Sequence, residues 1–211
     1  MAGLDPGPVA VVSVAVFFLV WYYAAFVYSR RVAARVAREF KDAVLALGGT
    51  SKIRWFGTTA FRMTTEAASP PFKEASVTVT LRPREMPINW AIGTVQGRRD
   101  AALVEASLRS DPEFGFELID PRTRIGRRRR RARADWSPIT LGDRDMLLVA
   151  ESQGAVVRLL ESLAPGSLLG VMALHVTAGT SPGIAASISV RPGDAARGLT
   201  AIRDLADHLG G

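Results

Sequence analysis

The sequence predicts an α+β protein: one N-terminal transmembrane helix followed by a mostly antiparallel sheet with helices packed on one face. Three observations predict it. Residues 8–28 carry no charge. Residues 74–82 alternate apolar and polar side chains. The last third of the chain reads as strand, helix, hairpin and helix in succession. A charge-free run of this length belongs in lipid. Strict alternation marks a half-buried antiparallel strand. The closing pattern is that of helices laid on one side of an antiparallel sheet.

The first element is PVAVVSVAVFFLVWYYAAFVY, 21 residues with Ser13 as the most polar before its aromatic cluster. As a helix it would span roughly 31 Å, about the thickness of one hydrocarbon core. A core helix of a soluble protein would show a polar face, and this one shows none. Trp21, Tyr22, Tyr23 and Tyr28 gather at its C-terminal end, where amphipathic rings favour the headgroup layer. Asp5 is the one charge ahead of it, whereas Arg30, Arg31, Arg35, Arg38 and Lys41 follow. The positive-inside bias therefore places the N-terminus outside and the large domain in the cytosol of a single-pass cell-membrane protein. A cleaved signal peptide would carry a basic n-region and a shorter apolar stretch.

Residues 30–47 continue as a helix, with Val32, Val36, Phe40, Val44 and Leu47 on one stripe and Gly48-Gly49 as its stop. It either runs on from the span as one rod or bends at Ser29. Residues 53–66 form a strand-like stretch rich in Trp, Phe and Thr. In residues 74–82, Ala75, Val77, Val79 and Leu81 point to the core. Residues 89–95 suggest a short helical turn. Residues 101–109 and 114–119 look like a hairpin around Asp111-Pro112-Glu113, whose residue order suits a type I turn.

Residues 146–150 form a short strand, and Ser152 is placed to cap a helix burying Val156, Leu159, Leu160 and Leu163. Pro165-Gly166 would end that helix. Two strands, 171–178 and 184–191, flank a GTSPG loop. Asp194 opens a last helix with Ala195, Leu199, Ile202, Ala206 and Leu209 on one side. The resulting division is a short extracytosolic segment (1–7), the transmembrane helix (8–28), a juxtamembrane helix (29–49) and a cytosolic α+β domain (50–211). A further boundary is weighed near residue 135, where two related α+β halves would meet.

The chain has no cysteine, which excludes disulfides, thiolate metal sites and cysteine nucleophiles. Asn89, Gln96 and Gln153 are its only side-chain amides, and 24 arginines face three lysines. Few thermolabile residues and many charges suggest a thermophilic, heat-adapted source; a GC-rich genome would also explain the excess of arginine over lysine.

Charge is concentrated in two places. Residues 122–133 contain Arg122, Arg124, Arg127, Arg128, Arg129, Arg130, Arg131 and Arg133 and no acid. The neck, 29–41, nets +4 and the rest of the domain −4. The basic character thus comes from two patches on a mildly acidic body. Read as a loop, the arginine segment has four candidate destinations. Its arginines pair with Asp120, Asp135, Asp143 and Asp145; or they contact anionic lipid headgroups, each basic residue contributing about 1 kcal/mol near such a surface; or they bind nucleic acid without sequence preference; or they meet an acidic protein partner.

Other sites are weaker. His175 falls on a strand and His208 in the last turn of a helix, without partners at metal-ligand spacing. The pairs Asp111/Glu113, Asp143/Asp145 and Asp204/Asp207 read as turn or surface acids. No dinucleotide fingerprint, phosphate loop or nucleophile elbow is present, so no catalytic residue, metal or cofactor is assigned. The readings that remain are a non-catalytic interaction or scaffold module at the cytosolic membrane face, a membrane-tethered binder of nucleic acid or another polyanion, and an enzyme built from scattered residues.

Overall fold

The structure is a computed structural model and describes residues 6–66, 68–163, 166, 168–191 and 193–209. The side chains of Pro6 and Ala195, Pro165, and the expected extracytosolic residues 1–5 lie outside that description.

The expected span and the expected neck form one helix. Helix α1 (Pro6–Leu45) is 40 residues long and continues through Ser29 without a break. Its two halves meet different surroundings. Val9, Val11, Val12, Phe17, Leu19 and Val20 are exposed, whereas Val32, Val36, Phe40, Val44 and Leu47 are buried, as their stripe foretold. The helix stops where the sequence placed the stop. Gly48 takes φ 77°, and a Cβ there would stand 2.2 Å from Ser69 Oγ, so only glycine fits this left-handed corner.

Nine antiparallel strands follow: β1 (Thr50–Trp55), β2 (Ala60–Glu66), β3 (Phe72–Thr80), β4 (Ala101–Leu108), β5 (Phe116–Ile119), β6 (Ser137–Leu141), β7 (Arg144–Ala150), β8 (Val171–Val176) and β9 (Ile184–Ser189). Their order across one sheet is β1-β2-β3-β4-β9-β8-β5-β7-β6. Strands from either side of residue 135 therefore interleave. Four further helices are α2 (Pro87–Val95), α3 (Arg124–Ala132), α4 (Gln153–Ser162) and α5 (Asp194–Leu209).

Three expectations are corrected. The stretch 53–66 is two strands, because the chain turns at Gly57 and the Phe56 N–H donates to the Ala60 carbonyl at 2.8 Å. The hairpin expected of 101–109 with 114–119 does not form. β4 pairs with β3 and β9, while β5 pairs with β7 and β8. The Asp111-Pro112 signal marks a chain reversal but does not choose a partner. The β8–β9 hairpin inserts between the two strands and sets Ala102, Val104 and Ala106 opposite Ile188, Ala186 and Ile184. The third correction, the arginine segment, is described with the site. Ser152 occupies the N-cap of α4 as expected, but its side chain makes no capping bond.

Alternation sorts the sheet into two faces. Val77, Val104, Ala186, Leu174, Leu118 and Leu148 share the inner face, and all belong to one apolar core with Val36 and Phe40 of α1, Val156 and Leu160 of α4, and Leu199, Ile202 and Leu205 of α5. The one-sided packing expected of the helices thus describes α1, α4 and α5. Glu117 lies between Phe116 and Leu118 and so points to the other face, where α3 meets it.

Candidate functional site: an aromatic collar and an arginine helix

The collar begins on α1. Trp21 Nε1 donates to the Arg84 carbonyl at 3.1 Å, and the Trp21 ring stands 5.8 Å from that of Trp90 on α2. The Arg84 guanidinium lies over the Tyr28 ring at 5.6 Å. The loop carrying Arg84 is itself fixed. Arg84 Nη2 donates to Asp100 Oδ2 at 2.6 Å, and the Arg82 N–H donates to Asp100 Oδ1 at 2.7 Å. On the other flank, Thr58 of the β1–β2 tip reaches Glu85 at 3.4 Å. The tip also exposes Trp55 and Phe56.

α2 is the helical turn expected of residues 89–95, extended to start at Pro87, whose fixed φ suits a first helical position. Residues 86–97 contain no charge. Most of this helix is nonetheless open. Ile88, Ile92 and Val95, spaced to share one face, are exposed at 64%, 48% and 90%, and Met86 and Trp90 are exposed beside them. The body of the domain does not cover this apolar face.

The arginine segment is a helix, not the expected loop. Three local features set it up. The Thr123 hydroxyl donates to the Asp120 carbonyl at 2.8 Å and accepts from the Gly126 N–H at 3.0 Å, closing the N-terminus. The Asp120 carboxylate accepts from the Arg122 N–H and from Arg144 Nη2. Gly126 packs so closely that a Cβ would stand 1.9 Å from the Asp120 carbonyl oxygen. Arginine has good helix propensity, and Arg129, Arg130 and Arg131 lie in the last turn, where the helix dipole favours cations.

The eight arginines divide by partner. Arg129 pairs with Glu117 of β5, and Arg133 Nη1 lies 3.8 Å from the same carboxylate. Arg133 also makes two hydrogen bonds to Asp135, at 2.6 and 3.0 Å. These hold the Asp135 carboxyl below the usual aspartate range and raise Arg133. Arg122 reaches Asp145 at 3.5 Å, and Arg127 donates to the Arg122 carbonyl at 2.7 Å. Among the described residues Arg124, Arg128, Arg130 and Arg131 have no ion pair. Of the acids nominated from sequence, Asp135 and Asp145 take arginines of this segment, Asp120 takes Arg144, and Asp143 takes none. Glu117 was missed because its role depends on the β5 register.

Arg124, Arg128 and Arg131 are spaced i, i+4, i+7 and line one side of α3, with Arg127 beside them. The neck bases Arg30, Arg31, Arg35, Arg38 and Lys41 are likewise exposed on α1. The fold adds Arg82, Arg98 and Arg99, which line a cleft together with Arg122, Arg124 and Arg127. The Arg98-Arg99 dipeptide directly after a charge-free run was the signal that could have found them. His175 lies on β8, opposite Glu117 in the ladder. His208 Nδ1 is 2.7 Å from the Asp204 carbonyl. Among the described residues no three His, Asp or Glu side chains gather as a metal site would require.

Fold and site together define an α+β protein bearing one N-terminal helix long and apolar enough to cross a membrane, a property shared by anchors and signal sequences. No family model matches the chain, and no curated protein matches it significantly.

Proposed function

We propose that this chain is a single-pass, membrane-anchored, non-catalytic interaction or scaffold module whose 50–211 domain sits on the cytosolic face of the cell membrane. Residues 8–28 span the bilayer, 29–49 form the juxtamembrane helix, and 1–7 lie outside. One observation carries the reading. A single helix is bare and charge-free over its first half and is core of the domain over its second. Such a helix leaves roughly twenty apolar residues that only lipid can cover, and it holds the domain close to the lipid surface.

Three features support this placement. The collar rings Trp21, Tyr22, Tyr23 and Tyr28 lie where the headgroup layer would fall. α2 presents its uncharged face beside that collar, so it would rest in the same layer. The neck bases follow the span directly and favour the cytosolic orientation. The α3 arginines then serve as contacts for anionic lipid. Orientation is tested by placing one cysteine at Ala196, an exposed position in this cysteine-free chain. A membrane-impermeant maleimide should label it in inverted vesicles and not in intact cells; the reverse pattern removes the cytosolic assignment.

A second reading rests on the outer stripe of α3. Arg124, Arg128 and Arg131 have no acidic partner, and such a stripe also suits nucleic acid or another polyanion. That reading requires binding to RNA or DNA that weakens steeply with salt, and no shift at low salt excludes it.

A further inference from the structure

We propose that the cleft between the C-terminal end of α2 and the first turn of α3 binds the phosphate of an anionic phospholipid headgroup. The inference rests on the reading that the domain lies against the bilayer, and it names what that surface recognises.

The cleft measures about 340 Å³ and is lined by Arg82, Arg98, Arg99, Arg122, Arg124 and Arg127, with no acidic residue on its wall. Its positive charge is largely unspent. Arg98, Arg99 and Arg124 form no ion pair among the described residues. Arg127 is engaged only by a backbone carbonyl. The other two are only loosely engaged: Arg82 Nε is buried without a hydrogen-bond partner and pairs with Asp100 at 3.9 Å while its Nη1 reaches Thr94 at 3.4 Å, and Arg122 pairs with Asp145 at 3.5 Å. Planar guanidinium forks match phosphate oxygens two at a time, and the residues Thr123, Arg124 and Ile125 that line the cleft lie at the positive end of the α3 dipole.

Position favours a lipid over a soluble anion. α2 connects the collar to the cleft: Trp90 touches Trp21, and a Cβ at Gly97 would stand 3.9 Å from Arg127 Nη2. The helical rise from Trp90 to Val95 is about 8 Å and two turn residues then reach Gly97, so the cleft opens within headgroup reach of the collar. Part of its wall is apolar, from Leu81, Ile125 and Met172, as suits the glycerol end of a phospholipid.

The test uses the full chain in phosphatidylcholine nanodiscs with and without phosphatidylglycerol, and native mass spectrometry of the anionic lipid retained after release into neutral detergent. Wild type should retain phosphatidylglycerol. Arg98→Ser with Arg124→Ser should weaken retention at least about tenfold, and Lys73→Ser with Arg158→Ser, exposed bases on β3 and α4 away from the cleft, should not. Equal retention by all three, or equal loss from both doubles at matched thermal stability, overturns the site. Glycerol 3-phosphate in solution supplies the other arm. Competition by it at potency matching the lipid overturns the lipid assignment and points to a soluble phosphate ester. Should the chain fail to enter nanodiscs, the anchor reading fails; glycerol 3-phosphate binding that depends on Arg98 and Arg124 would then still support a phosphate cleft, and no binding would overturn it.

Discussion

Trp21 and Arg84 are 63 residues apart in sequence and joined by a 3.1 Å hydrogen bond from the indole to a main-chain carbonyl. The bond fixes the α2 loop to α1 at a set height. Trp21→Ala removes it together with the Trp21–Trp90 contact, which is worth about 0.5–1.5 kcal/mol as an aromatic pair. Amide exchange across Pro87–Val95 should then accelerate about tenfold, since about 1.4 kcal/mol is a factor of ten. Unchanged exchange would mean that α2 is held by other contacts.

The start of α3 is a backbone problem. Gly126→Ala drives a methyl into the Asp120 carbonyl, and overpacking of this kind costs about 1–3 kcal/mol. Thr123→Ala removes the cap and costs about 1 kcal/mol. Both should lower Tm, with Gly126→Ala the larger effect, and both should raise amide exchange within Arg124–Ala132 ahead of the rest of the domain.

Phe40 ties the long apolar helix to the domain. It is fully buried in the core, so Phe40→Ala should cost about 3–5 kcal/mol of domain stability. Membrane insertion should be unaffected, because the apolar run of residues 8–28 is intact. A variant that unfolds yet stays membrane-bound separates anchoring from folding.

Asp135 gives a pH signature. Its carboxyl is held below the usual aspartate range by the hydrogen bond from Arg133. A group with a depressed folded pKa stabilises above its unfolded pKa and loses that contribution as pH falls through the folded value. An NMR titration should find the Asp135 midpoint below the ordinary aspartate value, and Arg133→Ala should return it there. Both residues are solvent-exposed, so the effect belongs in the titration rather than in the Tm.

Much of this fold was legible because single elements announce themselves. The stripe of Val32, Val36, Phe40 and Val44 on α1 with Leu47 just beyond it, the alternation of Ala75 to Leu81 and the β8–β9 hairpin all follow from local periodicity, and all are found. What stayed hidden was non-local. The partner of β4, which ends at Leu108, depends on a hairpin that begins only at Val171 inserting beside it. α3 was illegible as a helix because periodicity carries no signal in five consecutive arginines; Thr123 and Gly126, which set it up, act through Asp120. The cleft joins Arg98-Arg99 to Arg122–Arg127 across the sheet end, and no spacing in the sequence records that approach.

Alkaline carbonate extraction of membranes carrying the full chain, followed by the intact mass of the extracted protein, tests the anchor most directly. The expected result is a chain that stays in the pellet, yields only to detergent, and keeps residues 8–28 in its measured mass. Recovery in the aqueous fraction, or a mass lacking those residues, would contradict the membrane placement of the domain and the lipid role assigned to its arginines.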